Sequence, residues 1–154
     1  MCICTSCGAI VTPKGEKGDA GAAPVNIPVE VITSSPATLN AANAGTLILE
    51  TGAAVFNLPS APEAGTYYDI AVKTTGAYTI NTTGSDVFIG ALNSQKSTDV
   101  NIRYLANGGT RITMNGDTQG GLVGTAFKVN YIGSNNWMVT GFIQASGVQA
   151  TPFS

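Results

Sequence analysis

The chain has no histidine among its 154 residues, and its three cysteines all fall within the first seven positions. Without histidine there is no Ser-His-Asp or Cys-His arrangement, and the commonest general base of enzymes is missing. No apolar run approaches the ~20 residues of a membrane-spanning helix. The first residues lack the basic region and long apolar core of a signal peptide, so we expect no such leader. We predict that the protein is not an enzyme, binds no cofactor or metal, and has no membrane partner.

Charge is also scarce, since charged residues make up 10% of the chain against the ~25% that is usual in globular proteins. The net charge is −2, and no basic cluster is present that would neutralise phosphates. This argues against nucleic acid as a partner. Small and uncharged polar residues replace the missing charges. Such a surface suits a protein that packs against copies of itself.

The cysteines Cys2, Cys4 and Cys7 form a Cys-x-Cys-x-x-Cys pattern. A structural zinc site needs four ligands, and the chain offers no fourth cysteine and no histidine. An odd number of cysteines favours a thiol that is free or paired between chains. Four interpretations remain open: a zinc site shared between chains, inter-chain disulfides, a docking tip buried against a partner, and an apolar anchor whose thiols matter little. In each of them residues 1–13 form an N-terminal anchor.

Glycine recurs at every third position in residues 14–23, at Gly15, Gly18 and Gly21. This is the repeat of a collagen triple helix, in which only glycine fits at the axis. Three triplets span only ~28 Å at about 3.1 Å per residue. They cannot order three chains unaided, because ordering costs about 1–2 kcal/mol per residue. We predict a homotrimer with a short extended stalk and a proline-rich neck over residues 14–36, and a flexible linker is the alternative.

From about residue 37 the chain consists of short apolar stretches separated by turn signals. This pattern predicts an all-β head over residues 37–147, an antiparallel β-sandwich or a jelly-roll-like fold. Residues 46–50 and 54–58 are predicted to form one hairpin, and residues 126–132 and 137–143 another. An edge strand is also predicted over residues 29–32 of the neck. The C-terminal tail, residues 148–154, is expected to lie on a neighbouring subunit or to fray.

Alternation of apolar and polar residues predicts which strand faces are buried. It places Tyr68, Ile70 and Val72 on the inner face of one strand. On a later strand it places Val100, Ile102 and Tyr104 inward.

Tyr67, Tyr78 and Trp137 are candidate surface-contact residues, because aromatic rings can stack on sugars. Strand aromatics of this kind also occur in the core and in subunit interfaces. The sequence leaves both interpretations open, and a host-surface glycan remains a possible partner.

Five stretches, residues 39–47, 56–59, 65–73, 87–90 and 136–141, resemble in spacing and punctuation a β-head of tailed-bacteriophage structural proteins. Such heads often follow a short collagen-like run. The resemblance implies a virion-surface location and a role in capsid decoration, as a head-fibre or cement protein whose residues 1–13 bind other capsid or tail proteins. One alternative is the receptor- or glycan-binding tip of a tail fibre. Another is an extracellular filament subunit of a bacterial cell or spore surface, cross-linked through the cysteines.

Overall fold

A computed structural model describes residues 29–32, 35–40, 44–50, 52–96 and 99–154. No helix in these ranges is long and apolar enough to cross a membrane. The described residues form eleven strands: β1 (Val29–Ile32), β2 (Ala37–Thr38), β3 (Gly45–Leu49), β4 (Ala53–Asn57), β5 (Tyr67–Val72), β6 (Ala77–Asn81), β7 (Val87–Lys96), β8 (Asp99–Gly109), β9 (Arg111–Asn115), β10 (Ala126–Gly133) and β11 (Asn136–Gln144).

The strands form a seven-stranded sheet in the order β1-β3-β5-β10-β11-β7-β8 and a four-stranded sheet in the order β2-β4-β6-β9. The first six strands alternate between the two sheets. As a result β1, β3 and β5 are parallel neighbours in the larger sheet, and β2, β4 and β6 are parallel neighbours in the smaller one. The first six strands of the described part therefore form a coil that advances by one strand in each sheet per turn. The later strands pair mostly antiparallel, as in β7–β8 and β10–β11.

The all-β prediction is confirmed, but the predicted antiparallel arrangement is wrong. Five of the nine strand pairs in the described part are parallel, so both sheets are mixed. The predicted hairpin over residues 46–58 is also wrong, because β3 and β4 lie in different sheets. A three-residue link at 50–52 can join paired strands or carry the chain from one sheet to the other. The spacing of the apolar stretches is the same in both cases.

The second predicted hairpin is confirmed by the antiparallel pairing of β10 with β11. The two strands are joined through Ser134 and Asn135, which have φ values of 52° and 61°. Positive φ at both central residues is the geometry of a type I′ turn, which matches the twist of paired strands.

The inward side chains of both sheets share one hydrophobic core, an arrangement compatible with a β-sandwich. Tyr68, Ile70 and Val72 are buried as predicted. At the centre of the core lies Trp137, whose ring centroid is 6.0 Å from that of Tyr68 and 5.2 Å from that of Tyr131. The large buried area of these rings makes this aromatic group a main source of core stability.

Strand β8 departs from its predicted burial. Ile102 is 38% exposed and Tyr104 is only partly buried, while the side chain of Val100 lies outside the described residues. β8 is the edge strand of a sheet that is three strands wider than the sheet facing it. Its inward positions therefore have fewer side chains to pack against, and alternation alone does not predict their exposure.

Both ends of the described chain belong to the sheets. The predicted edge strand at residues 29–32 is confirmed as β1, so the neck contributes a strand to the head. The C-terminal tail does not fray, because Phe153 forms a β-bridge with Ile112. The amide of Ser154 donates to the carbonyl of Arg111 at 3.0 Å, and the amide of Arg111 donates back at 2.9 Å. The tail thus extends the smaller sheet beside β9.

Candidate functional site

The candidate site is the outward face of the seven-stranded sheet, which we define as the side chains that point away from the smaller sheet. The strand register arranges this face in cross-strand rows. One row consists of Val31, Ile48, Ala71, Ala126, Phe142, Asn93 and Arg103. The next row includes Val29, Asp69, Lys128, Thr140, Ala91 and Leu105. Most of the positions in the first row are apolar.

Large apolar side chains are exposed at both edges of the outward face. Val29 is 64% exposed and Val31 45% exposed on edge strand β1, and Leu105 is 66% exposed on the opposite edge strand β8. Scattered exposed apolar residues are normal in proteins. Val31 is different, because half-buried apolar side chains continue its row as far as Phe142, and contiguous apolar surface marks interaction sites.

The centre of the face carries charges that compensate each other. Lys128 Nζ lies 3.3 Å from Asp69 Oδ1 and 4.5 Å from the centroid of the Tyr67 ring. Such an exposed ion pair contributes little to stability, of the order of 0–1 kcal/mol. It does leave the middle of the face close to neutral. Arg103, near the β8 edge, has no ion-pair partner among the described residues.

A shallow concavity of about 310 Å³ lies on this face between β7, β8 and β11. It is lined by Gly90, Ala91, Asn93, Arg103, Met138, Thr140 and Gly141. Glycine is required on β7, because a Cβ at Gly90 would lie 2.4 Å from the carbonyl oxygen of Val139. A small polar ligand or a protruding side chain can fill the concavity.

Of the residues proposed from the sequence, Gly15, Gly18, Gly21, Cys2, Cys4 and Cys7 lie outside the described residues. Tyr67 is partly buried on the outward face. Of the two interpretations left open for Tyr78 and Trp137, the structure contradicts surface contact and bears out burial in the core, since both are fully buried. Alternation within short strands does not by itself reveal which face is covered.

No sequence pattern singles out Asp86, which is the most buried charged side chain of the described part at 1% exposure. Its Oδ2 accepts a hydrogen bond from Trp137 Nε1 at 3.3 Å and one from the amide of Ala61 at 3.0 Å. Ala61 has a φ of 41°, an uncommon value for a residue with a side chain. The carboxylate therefore fixes both the central indole and the loop that precedes β5.

Two tyrosines have perturbed acidity. Burial raises the pKa of Tyr78 above its usual 10.0, and the Tyr78 hydroxyl donates to the carbonyl oxygen of Thr74 at 2.5 Å. Desolvation also raises the pKa of Tyr104. Within the described ranges, no three His, Cys, Asp or Glu side chains come together in a group that could hold a metal ion.

Comparisons of the chain with protein-family models, with curated proteins and with solved structures found no match. The resemblance to bacteriophage structural proteins accordingly stays a prediction from the sequence.

Proposed function

We propose that the chain is a non-enzymatic structural protein of a tailed-bacteriophage virion, a trimeric capsid-decoration protein of the head-fibre or cement type. Residues 1–13 attach it to the particle, residues 14–36 form the stalk and neck, and the β-sandwich head faces outward. Its mechanism is assembly: copies join through their heads, and three joined anchors bind the particle with an avidity well above that of one.

The observation that carries the proposal is the outward face of the seven-stranded sheet, with its apolar row from Val31 to Phe142 and its exposed edge residues Val29, Val31 and Leu105. A free monomer rarely leaves a contiguous apolar face in water. The low charge of the chain supports the same conclusion, because a soluble monomer ordinarily covers its surface with charged residues.

The entry of the chain into the head also supports the proposal. β1 begins at Val29, eight positions after Gly21, the last glycine of the repeat. It lies at the edge of the larger sheet, at the side of the head. Three heads related by a threefold axis can therefore receive three strands of one stalk.

The first test is the mass of the full-length chain in solution by light scattering, with and without reductant. A subunit of 15.6 kDa predicts a species of about 47 kDa under both conditions. A monomer at every concentration would refute the trimer. Larger species that reductant converts to subunits would favour the cysteine-linked filament. Immunogold labelling of particles that carry the chain should then mark the capsid.

A second function, the glycan-binding tip of a tail fibre, is favoured by the concavity on the outward face. Arg103 can bind a carboxylate there, and Asn93 and Thr140 can accept or donate hydrogen bonds to hydroxyl groups. A glycan array that includes acidic sugars tests this function. Binding that is lost in Arg103→Ala, together with labelling of the tail tip, would place this function first.

A further inference from the structure

We infer that the outward face packs around a threefold axis, so that the β1 edge of one copy contacts the β8 edge of the next. This inference rests on the proposed trimer and adds which surface forms it and which residues meet. The occupant of the face is a second and a third copy of the same chain.

The first step concerns the arrangement of the exposed apolar residues. Val29 and Val31 on β1 and Leu105 on β8 lie at the two ends of the strand order, and Ile132 lies between them on β10. A contact in which the β1 edge of every copy meets the β8 edge of the next copy is heterologous, and it closes into a ring when the rotation allows. The glycine repeat, which requires three chains, selects a ring of three.

The second step concerns register. Val29 and Leu105 belong to the same cross-strand row, which continues through Asp69, Lys128 and Thr140. A threefold axis along the strands leaves the height of each row unchanged. It therefore brings Val29 of one copy to the level of Leu105 in the next. The interior of the ring then holds the neutral centre of the face, where Lys128 and Asp69 are already paired.

The third step concerns area. Seven strands at a spacing of about 4.8 Å give a sheet about 34 Å wide. The strands contain 4 to 11 residues, each of which adds about 3.3 Å. Multiplying the mean strand length by the width gives a projected area of roughly 800 Å² for the face. One partner buries about 800 Å² in an interface of standard size. The whole face is therefore an upper limit for one subunit's contribution, which is shared between two neighbours at its two edges and reinforced by the stalk.

The decisive experiment is disulfide trapping in the full-length chain, with Cys2, Cys4 and Cys7 replaced by serine. The double variant Val29→Cys/Leu105→Cys should form a covalent trimer on mild oxidation, seen on a non-reducing gel. Each single variant should remain a monomer on that gel. A matched control is Val148→Cys/Leu105→Cys, since Val148 is 86% exposed in the loop after β11 and lies off the face.

A second measurement is independent of cross-linking chemistry. Leu105→Glu places a charge at the proposed contact and should raise the concentration at which the trimer dissociates by at least tenfold, whereas Val148→Glu should leave it unchanged. Both side chains are exposed in the single subunit, so neither change should alter folding. Circular dichroism and thermal unfolding check this point.

The outcomes separate the two proposals. A wild-type trimer that is not trapped by the double variant and is unaffected by Leu105→Glu would overturn this inference and leave the proposed trimer intact. A covalent dimer formed by Leu105→Cys alone would show a twofold contact and overturn the inference as well. A wild-type monomer at all concentrations would overturn both.

Discussion

Replacing Asp86 with alanine should destabilise the head strongly, although the residue is far from any surface contact. The change removes the acceptor of two hydrogen bonds, from Trp137 Nε1 at 3.3 Å and from the amide of Ala61 at 3.0 Å. A buried donor left without a partner costs about 1–3 kcal/mol. We expect the free energy of unfolding to fall by about 3–5 kcal/mol, a large share of the ~5–15 kcal/mol typical of a domain.

The assay is thermal and urea unfolding at one fixed protein concentration, because association would otherwise contribute to the apparent stability. For a head of this size, 1 kcal/mol corresponds to roughly 3–5 °C, so the melting temperature should fall by about 10–20 °C. Asp86→Asn keeps an oxygen acceptor and should cost only about 1–2 kcal/mol. Glu63→Ala removes the same charge from an exposed position and should change stability by less than about 0.5 kcal/mol.

A Trp137→Phe background makes the test specific to the hydrogen bond. Phenylalanine lacks the indole N–H, so Asp86→Ala should cost about 1–2 kcal/mol less in this background than in the wild-type chain. The carboxylate does not fix the central indole if Asp86→Ala costs as little stability as Glu63→Ala. The same holds if the stability losses of Asp86→Ala and Trp137→Phe are additive. The account of this part of the core would then be wrong.

Further predictions concern alkaline pH and the backbone. Because the pKa of Tyr78 is raised above 10.0 in the folded chain, the folded chain keeps a proton that the unfolded chain releases. The contribution to stability should therefore be full below pH 10 and should be lost as the pH rises through the pKa of the folded chain. Tyr78→Phe should flatten this fall in urea unfolding at pH 8–11. Gly141→Ala should destabilise the head by more than Gly108→Ala. A Cβ at position 141 would lie 2.5 Å from the Cα of Phe127, whereas nothing lies within 4 Å of a Cβ at position 108. Gly108→Ala should cost about 1–2 kcal/mol from its positive φ alone, and equal losses in the two variants would refute the packing argument.

The sequence was informative where a local pattern decides a local structure. Alternation predicted the buried face of β5 at Tyr68, Ile70 and Val72, and the turn signals at 133–136 predicted the β10–β11 hairpin. Both depend on neighbours within a few residues. The all-β class follows from many such patterns along the chain.

The sequence was uninformative where the partner of a strand is distant. Neither the link at 50–52 nor the composition of β3 and β4 shows that these strands enter opposite sheets. The burial of Trp137 depends on a loop acid 51 positions away, Asp86, which no local pattern connects with it. For the same reason the outward face could not be assembled in advance, since its rows join seven strands by register.

The coil formed by the first six strands gives the head an extensible end. Each turn adds one parallel strand to each sheet, and β1 and β2 are the strands of the coil at the sheet edges in the described part. A duplication of one whole turn would widen both sheets by one strand at this edge without changing the pairing of β5 with β10 or of β6 with β9. Chains with this architecture can therefore differ in length by whole turns and keep the same aromatic centre, so that head size can vary while the rest of the fold is preserved.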